Sequence, residues 1–143
     1  MVFSRLFLST VVFLTAALCA ADRPEVGTWK LNLERSTLRH SPDARTMTIE
    51  PSSGNTYRVT FDGSNTVYAL TFDVESIPAN SAGTSRYARR IDEHHTQQVL
   101  RIGGKDVGTI DTVISLDGKT MTCVYRSTDD NKTFAETYVY DKQ

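Results

Sequence analysis

The sequence predicts an all-β protein, an up-and-down antiparallel meander closed into a small β-barrel of about 8–10 strands. Three features of the 143-residue chain carry that expectation. Apolar and polar residues alternate with period two in short runs that recur about every ten residues. Turn residues separate the runs, mostly Gly beside Asn or Asp. No amphipathic helix of useful length, internal repeat or low-complexity segment interrupts them. Such spacing suits a sandwich as well as a barrel. A succession of hairpins favours the barrel, because closure removes strand edges that would otherwise pair with other chains.

The first run is Trp29-Lys30-Leu31-Asn32-Leu33, introduced by Gly27-Thr28. A glycine there lets the chain bend close to a barrel floor. The Trp29 ring can be buried on that floor with its indole N–H on a backbone carbonyl. A longer loop, 36–43, leads to the second run, 46–50 (TMTIE). "PSSGN" separates it from 57–61 (YRVTF), and "DGSN" leads on to 67–74 (VYALTFDV). Another long loop, 76–85, precedes 86–91 (RYARRI), and Asp92-Glu93 makes the turn to 96–102 (TQQVLRI). "GGK" leads to 107–116, "DGK" to 120–126 and "DDNK" to 134–140. The runs are rich in Thr, Val, Ile, Tyr and Phe, which suit a pleated, half-buried surface. The last should pair back with the first.

Residues 1–21 read as a secretory signal peptide: Arg5, then an apolar run over 6–18, then small residues. The run is too short to span a bilayer comfortably. Cleavage after Ala20 or Ala21 leaves 22–143 as one domain of a secreted or periplasmic protein. Leu18 stands before Cys19, where a lipid-modification signal wants a small residue. Arg5 is the only charged residue of the leader, so the domain stays close to neutral and slightly acidic. It has no basic footprint for nucleic acid and no polybasic membrane patch. Cys123 is the domain's single cysteine, which excludes an intramolecular disulfide and reads as a small buried strand residue. A monomer without cofactor, metal, nucleic-acid partner or membrane span is expected.

Gly27-Thr28-Trp29 at the head of the first strand resembles the Gly-x-Trp of the calycin superfamily, the lipocalins and fatty-acid-binding proteins. "GTWKL" resembles the start of fatty-acid-binding proteins, and "VYDK" resembles their last strand. The chain is also similar to small secreted bacterial proteins that share "GTWKLN", "RID", "SxDGKTMT" and "VYDKQ". Residues 27–32, 90–92, 115 with 117–122, and 139–143 match that pattern. The resemblance implies a lipocalin-like barrel whose Trp plugs the closed end, and implies no particular activity. Three departures stand out. Fatty-acid-binding proteins insert a helix-turn-helix lid after the first strand, where this chain has only "ERSTLRHSPDA". They anchor a carboxylate with Arg-x-Tyr in the last strand, where this chain has Tyr138-Val139-Tyr140. Lipocalins stack a late arginine over the Trp, and the late cations here are Arg126 and Lys142.

Alternation assigns the inner face. It selects Trp29, Leu31, Leu33, Met47, Ile49, Tyr57, Val59 and Phe61, then Tyr68, Leu70, Phe72 and Val74. On the fifth run it selects Tyr87, Arg89 and Ile91. Thr96, Gln98, Leu100 and Ile102 follow, then Ile110, Thr112 and Ile114, then Met121, Cys123 and Tyr125. Phe134, Glu136, Tyr138 and Tyr140 complete the set. The candidate ligand-binding residues of the lumen are Arg89, Tyr57, Tyr87, Gln98, Tyr125, Glu136 and Tyr138. Gly27 and Trp29 are structural, at the floor. A charge inside a barrel must be paired or meet water or ligand. Arg89 could hold a carboxylate bidentately. In the alternative it pairs with Glu136, or both lie at the mouth.

Little else suggests chemistry. His94 and His95 are adjacent on the chain and point to opposite faces, so they do not readily chelate one ion. No nucleophile stands with a base and an orienter in sequence, and no catalytic residue is assigned. Gly103-Gly104-Lys105 is a hairpin turn without a following helix, unlike a phosphate loop. Asn131-Lys132-Thr133 fits a glycosylation sequon and reads as a turn. Two functions remain. One is a barrel that binds a small apolar or amphipathic molecule in its lumen. The other is a filled barrel that acts as a structural or interaction module through loops 36–43 and 76–85.

Overall fold

The computed structural model describes residues 23–42, 44–63, 67–76, 83–128 and 133–143. The leader over 1–21, with Cys19, and the sequon asparagine Asn131 lie outside the described residues. All regular structure among these is β-strand: β1 (Gly27–Leu31), β2 (Thr46–Ser53), β3 (Thr56–Phe61), β4 (Val67–Thr71), β5 (Glu75–Ser76), β6 (Thr84–Arg90), β7 (His95–Ile102), β8 (Lys105–Ile114), β9 (Thr120–Ser127) and β10 (Ala135–Lys142). They form one sheet in the order β4-β3-β2-β1-β10-β9-β8-β7-β6-β5, with antiparallel neighbours. Each predicted run overlaps a strand, the two-residue β5 falls outside them, and the first pairs with the last, Leu31 opposite Tyr140.

The sheet curls into a nearly closed barrel. Its seam lies where β4 ends. Phe72 makes an isolated bridge to Ala88, and the Asp73 N–H donates to the Ala88 carbonyl at 2.7 Å. Asp73 adopts φ 63, a left-handed conformation that Asp tolerates through its short polar side chain. The seam is also stitched by side chains. The Arg86 guanidinium lies 4.6 Å over the Tyr68 ring, and that of Arg90 lies 4.5 Å over Phe72.

Trp29 closes one end. It is fully buried, and its indole N–H donates to the Glu25 carbonyl at 2.8 Å. The Lys142 ammonium sits 5.0 Å from the ring centroid and donates to the Pro24 carbonyl at 3.2 Å. Lys142 is therefore the late cation stacked on the Trp, in place of arginine. Gly27 makes this possible. Its φ is 133, and a Cβ there would stand 2.9 Å from Lys142 Cε.

The opposite end is crossed by a strap, described over 32–42 and 44–45, that stands where a helical lid would. Thr37 bridges Thr137 of β10, the Arg39 N–H donates to Glu136 Oε1 at 2.8 Å, and Leu38 packs on the core. Asp62 Oδ1 accepts the N–H groups of Arg45 and Thr46 at 2.9 and 2.7 Å and so fixes the strap's far end. The Thr46 N–H above all holds the Asp62 carboxyl below its ordinary range.

The inner face differs from expectation in two ways. Leu33, Val74, Ile91 and Ile102 are exposed. Each lies past the end of its strand or on its last residue, where alternation no longer refers to a sheet face. On β6 the whole strand is turned over. Ala88 is fully buried and Arg89 is exposed, so Arg86, Ala88 and Arg90 share the inner face. A small residue is needed at 88 because Phe72 bridges it across the seam.

Candidate functional site: the lumen

A cavity of about 360 Å³ occupies the barrel interior. That volume lies in the range of small-molecule sites. Strands β2, β3 and β4 line it with mainly hydrocarbon side chains, among them Met47, Ile49, Val59, Leu70 and Phe72. The tyrosines Tyr57, Tyr68, Tyr125, Tyr138 and Tyr140 add ring surface and hydroxyls. Thr96, Gln98, Thr112 and Cys123 bring further polar tips from β7, β8 and β9, and Glu25 reaches the cavity from the chain before β1. Pro42 and Ala44 of the strap also line it.

Of the predicted lumen residues, Tyr57, Gln98, Tyr125 and Tyr138 line the cavity. Glu136 lies at the mouth. It accepts the Arg39 N–H and, at 3.0 Å, the Tyr138 hydroxyl. Arg89 and Tyr87 are not in the lumen, because β6 presents its other face. Arg89 Nε and Nη2 donate to Gln97 Oε1 on the outer surface at 3.0 and 2.6 Å. The predicted Arg89–Glu136 pair accordingly does not form.

Two other arginines take the inner face. Arg86 Nη1 donates to Gln98 Oε1 at 3.1 Å. Arg90 Nη2 donates to Glu25 Oε1 at 2.5 Å, and both side chains are largely buried. Alternation could not find them, since it favours Tyr87 and Ile91 as the buried positions. What makes the inverted face stable is aromatic surface on β4 and just after it, with one guanidinium over Tyr68 and the other over Phe72. The only trace in the sequence is two arginines flanking Ala88 with the same parity.

Burial pushes the Cys123 thiol up to about 11. The surface that Cys123 exposes faces the cavity, and its sulfur accepts the Thr112 hydroxyl at 3.5 Å. Burial, reinforced by the Glu136 carboxylate that its hydroxyl donates to, pushes the Tyr138 phenol up to about 12. Tyr68 and Tyr140 are raised by burial too, Tyr68 with the Arg86 charge partly offsetting. The lumen is thus a medium that disfavours new negative charge. Cys123 should resist iodoacetamide at pH 8 and react once urea unfolds the chain, as read by mass spectrometry. A raised folded pKa stabilises below the unfolded value of about 9 and is lost as pH rises through about 11. Unfolding midpoints should therefore fall across that interval, and fall less in Cys123→Ala.

Gly108 shapes the wall of β8. A Cβ there would meet the Tyr125 ring at 2.8 Å and the Arg126 carbonyl at 3.0 Å. Tyr125 in turn packs edge-on against Phe134, with centroids 5.7 Å apart. Gly108→Ala should cost about 1–3 kcal/mol by overpacking, measured by urea denaturation.

No protein-family model matches the sequence, and no curated protein matches it. Solved structures do resemble the fold. A fatty acid binding protein of Schistosoma mansoni, in complex with arachidonic acid, aligns with TM-score 0.58 at 18% identity, over 84% of this chain and 96% of that one. Secretory abundant heat soluble protein 4 of Ramazzottius varieornatus aligns with TM-score 0.56 at 11% identity, over 85% and 96%. The fold is calycin-like. At these identities the likeness concerns architecture.

Proposed function

We propose that the chain is a lipocalin-like binding barrel that takes a small apolar or amphipathic molecule into its lumen. The cavity of about 360 Å³ carries this reading, since a filled barrel would occupy that volume with side chains. A largely apolar lining with a few converging polar groups is the usual composition of a ligand site. The similar barrel from Schistosoma mansoni, in complex with arachidonic acid, is in keeping with it. The leader-like composition of residues 1–21 supports secretion or export to a periplasm, in a protein like the small bacterial ones whose motifs the sequence shares. In the lumen, Gln98, Tyr57, Tyr125 and Tyr138 orient the ligand, and Arg86 fixes the Gln98 amide by donating to its Oε1. No catalytic role is assigned to any residue.

The test is to purify the protein from its native host, denature it and analyse the organic extract by mass spectrometry. One enriched small molecule at near-stoichiometric yield is the expected result. An empty protein that also ignores apolar fluorescent probes would move the function to the loops.

A further inference from the structure

We propose that the lumen is built for a facially amphipathic ligand: a rigid apolar ring system with neutral hydroxyls along one edge. This rests on the lumen-binding reading above. It follows from how polar side chains are distributed around the barrel.

The pairing registers of β6 to β10 set Arg90, Thr96, Thr112, Cys123 and Tyr138 side by side in one cross-strand row. The last four line the cavity. The next row toward the mouth adds Gln98 and Tyr125, one on each side of Ile110 of β8, which also lines the cavity. Hydroxyls, a thiol and an amide thus form a band on one wall, with Ile110 as its apolar member. On the facing wall, β2 to β4 offer hydrocarbon, with the phenol oxygens of Tyr57 and Tyr68 as exceptions. A straight-chain amphiphile has a single polar head. Lying in this lumen it would press methylenes against the band and leave its donors and acceptors unsatisfied. A ring system with hydroxyls on one face meets both walls at once.

The charges point the same way. Arg90 is neutralised by Glu25, and Arg86 donates to Gln98. A carboxylate would have to compete for Arg90 with a carboxylate already there. A hydroxyl both donates and accepts, which suits each threonine of the row. At the deep end, Glu25 Oε2 and Arg90 Nη1 are buried and have no hydrogen-bond partner. Glu25 lines the cavity, and its side chain is only 9% exposed. An open carboxylate oxygen on a cavity-lining residue is an acceptor for one neutral hydroxyl.

The test uses the purified protein loaded with Nile red, a neutral apolar fluorescent probe. Four competitors are compared: a steroid triol with all hydroxyls on one face, its epimer with hydroxyls split between faces, the parent hydrocarbon steroid, and a straight-chain fatty acid. The one-face triol should displace the probe at a concentration about tenfold or more below the epimer and the fatty acid. In the Thr96→Val/Thr112→Val variant, which keeps side-chain shape, that preference should shrink to about twofold, while the hydrocarbon steroid displaces the probe at least as well as from the parent. Equal displacement by both epimers, or a fatty acid that binds best, overturns the proposal and leaves lumen binding intact. Failure of the probe and all four competitors to bind overturns the lumen-binding reading itself.

Discussion

Trp29→Ala is expected to lower the unfolding free energy by about 3–5 kcal/mol. Domains of this size are stable by only about 5–15 kcal/mol, so the variant should be partly unfolded or close to it. The ring is fully buried, and three things depend on it: its packing at the barrel floor, its indole hydrogen bond to the Glu25 carbonyl, and the seat of Lys142. Trp29→Phe keeps much of the packing and loses the hydrogen bond. It should cost less, about 1–3 kcal/mol. Urea denaturation followed by circular dichroism measures both, since Trp29 is the only tryptophan and fluorescence is lost with it. A Trp29→Ala protein as stable as the parent would mean that the floor is closed by something else.

The second large effect concerns Glu25 and Arg90. Glu25→Ala leaves the Arg90 guanidinium largely buried with no counter-charge, and should cost about 3–5 kcal/mol. Removing both charges by Glu25→Ala/Arg90→Met should be much milder, because Met can lie on the Phe72 ring that the guanidinium covers. The signature is therefore a double variant more stable than the Glu25 single variant. Simple additivity of the two single losses would show that the pair is not coupled. The pair joins the chain before β1 to the last residue of β6, so its loss should loosen the floor more than the mouth.

The barrel is legible in the sequence because alternation survives on the strands away from the seam. Met47, Ile49, Tyr57 and Val59 on β2 and β3 all face inward as their parity requires. Met121, Tyr138 and Tyr140 do so on β9 and β10. Gly27 and Trp29 announced the floor through residue type alone. β6 was misread for a physical reason. It adjoins the seam, where Phe72 demands a small residue at 88 and offers, with Tyr68, ring faces on which two guanidiniums can lie. Hydropathy ranks Arg86 and Arg90 as outward and Tyr87 as inward, and the structure does the reverse. Glu25 was overlooked because it precedes any run, and its partner lies 65 residues away. Lys142 could be named as a candidate cation, but only the β1–β10 register places it over the Trp.

The most direct test of an open, ligand-binding lumen uses Trp29 as a built-in reporter on its floor. An apolar fluorescent probe that accepts energy from tryptophan is titrated into the protein, and sensitised probe emission is recorded. A Val59→Phe/Leu70→Phe variant, which fills the lumen, is titrated alongside. The account predicts saturation at one probe per chain with energy transfer from Trp29 in the parent, and loss of saturable binding in the filled variant. No saturable binding in the parent, or equal binding in both, would contradict it.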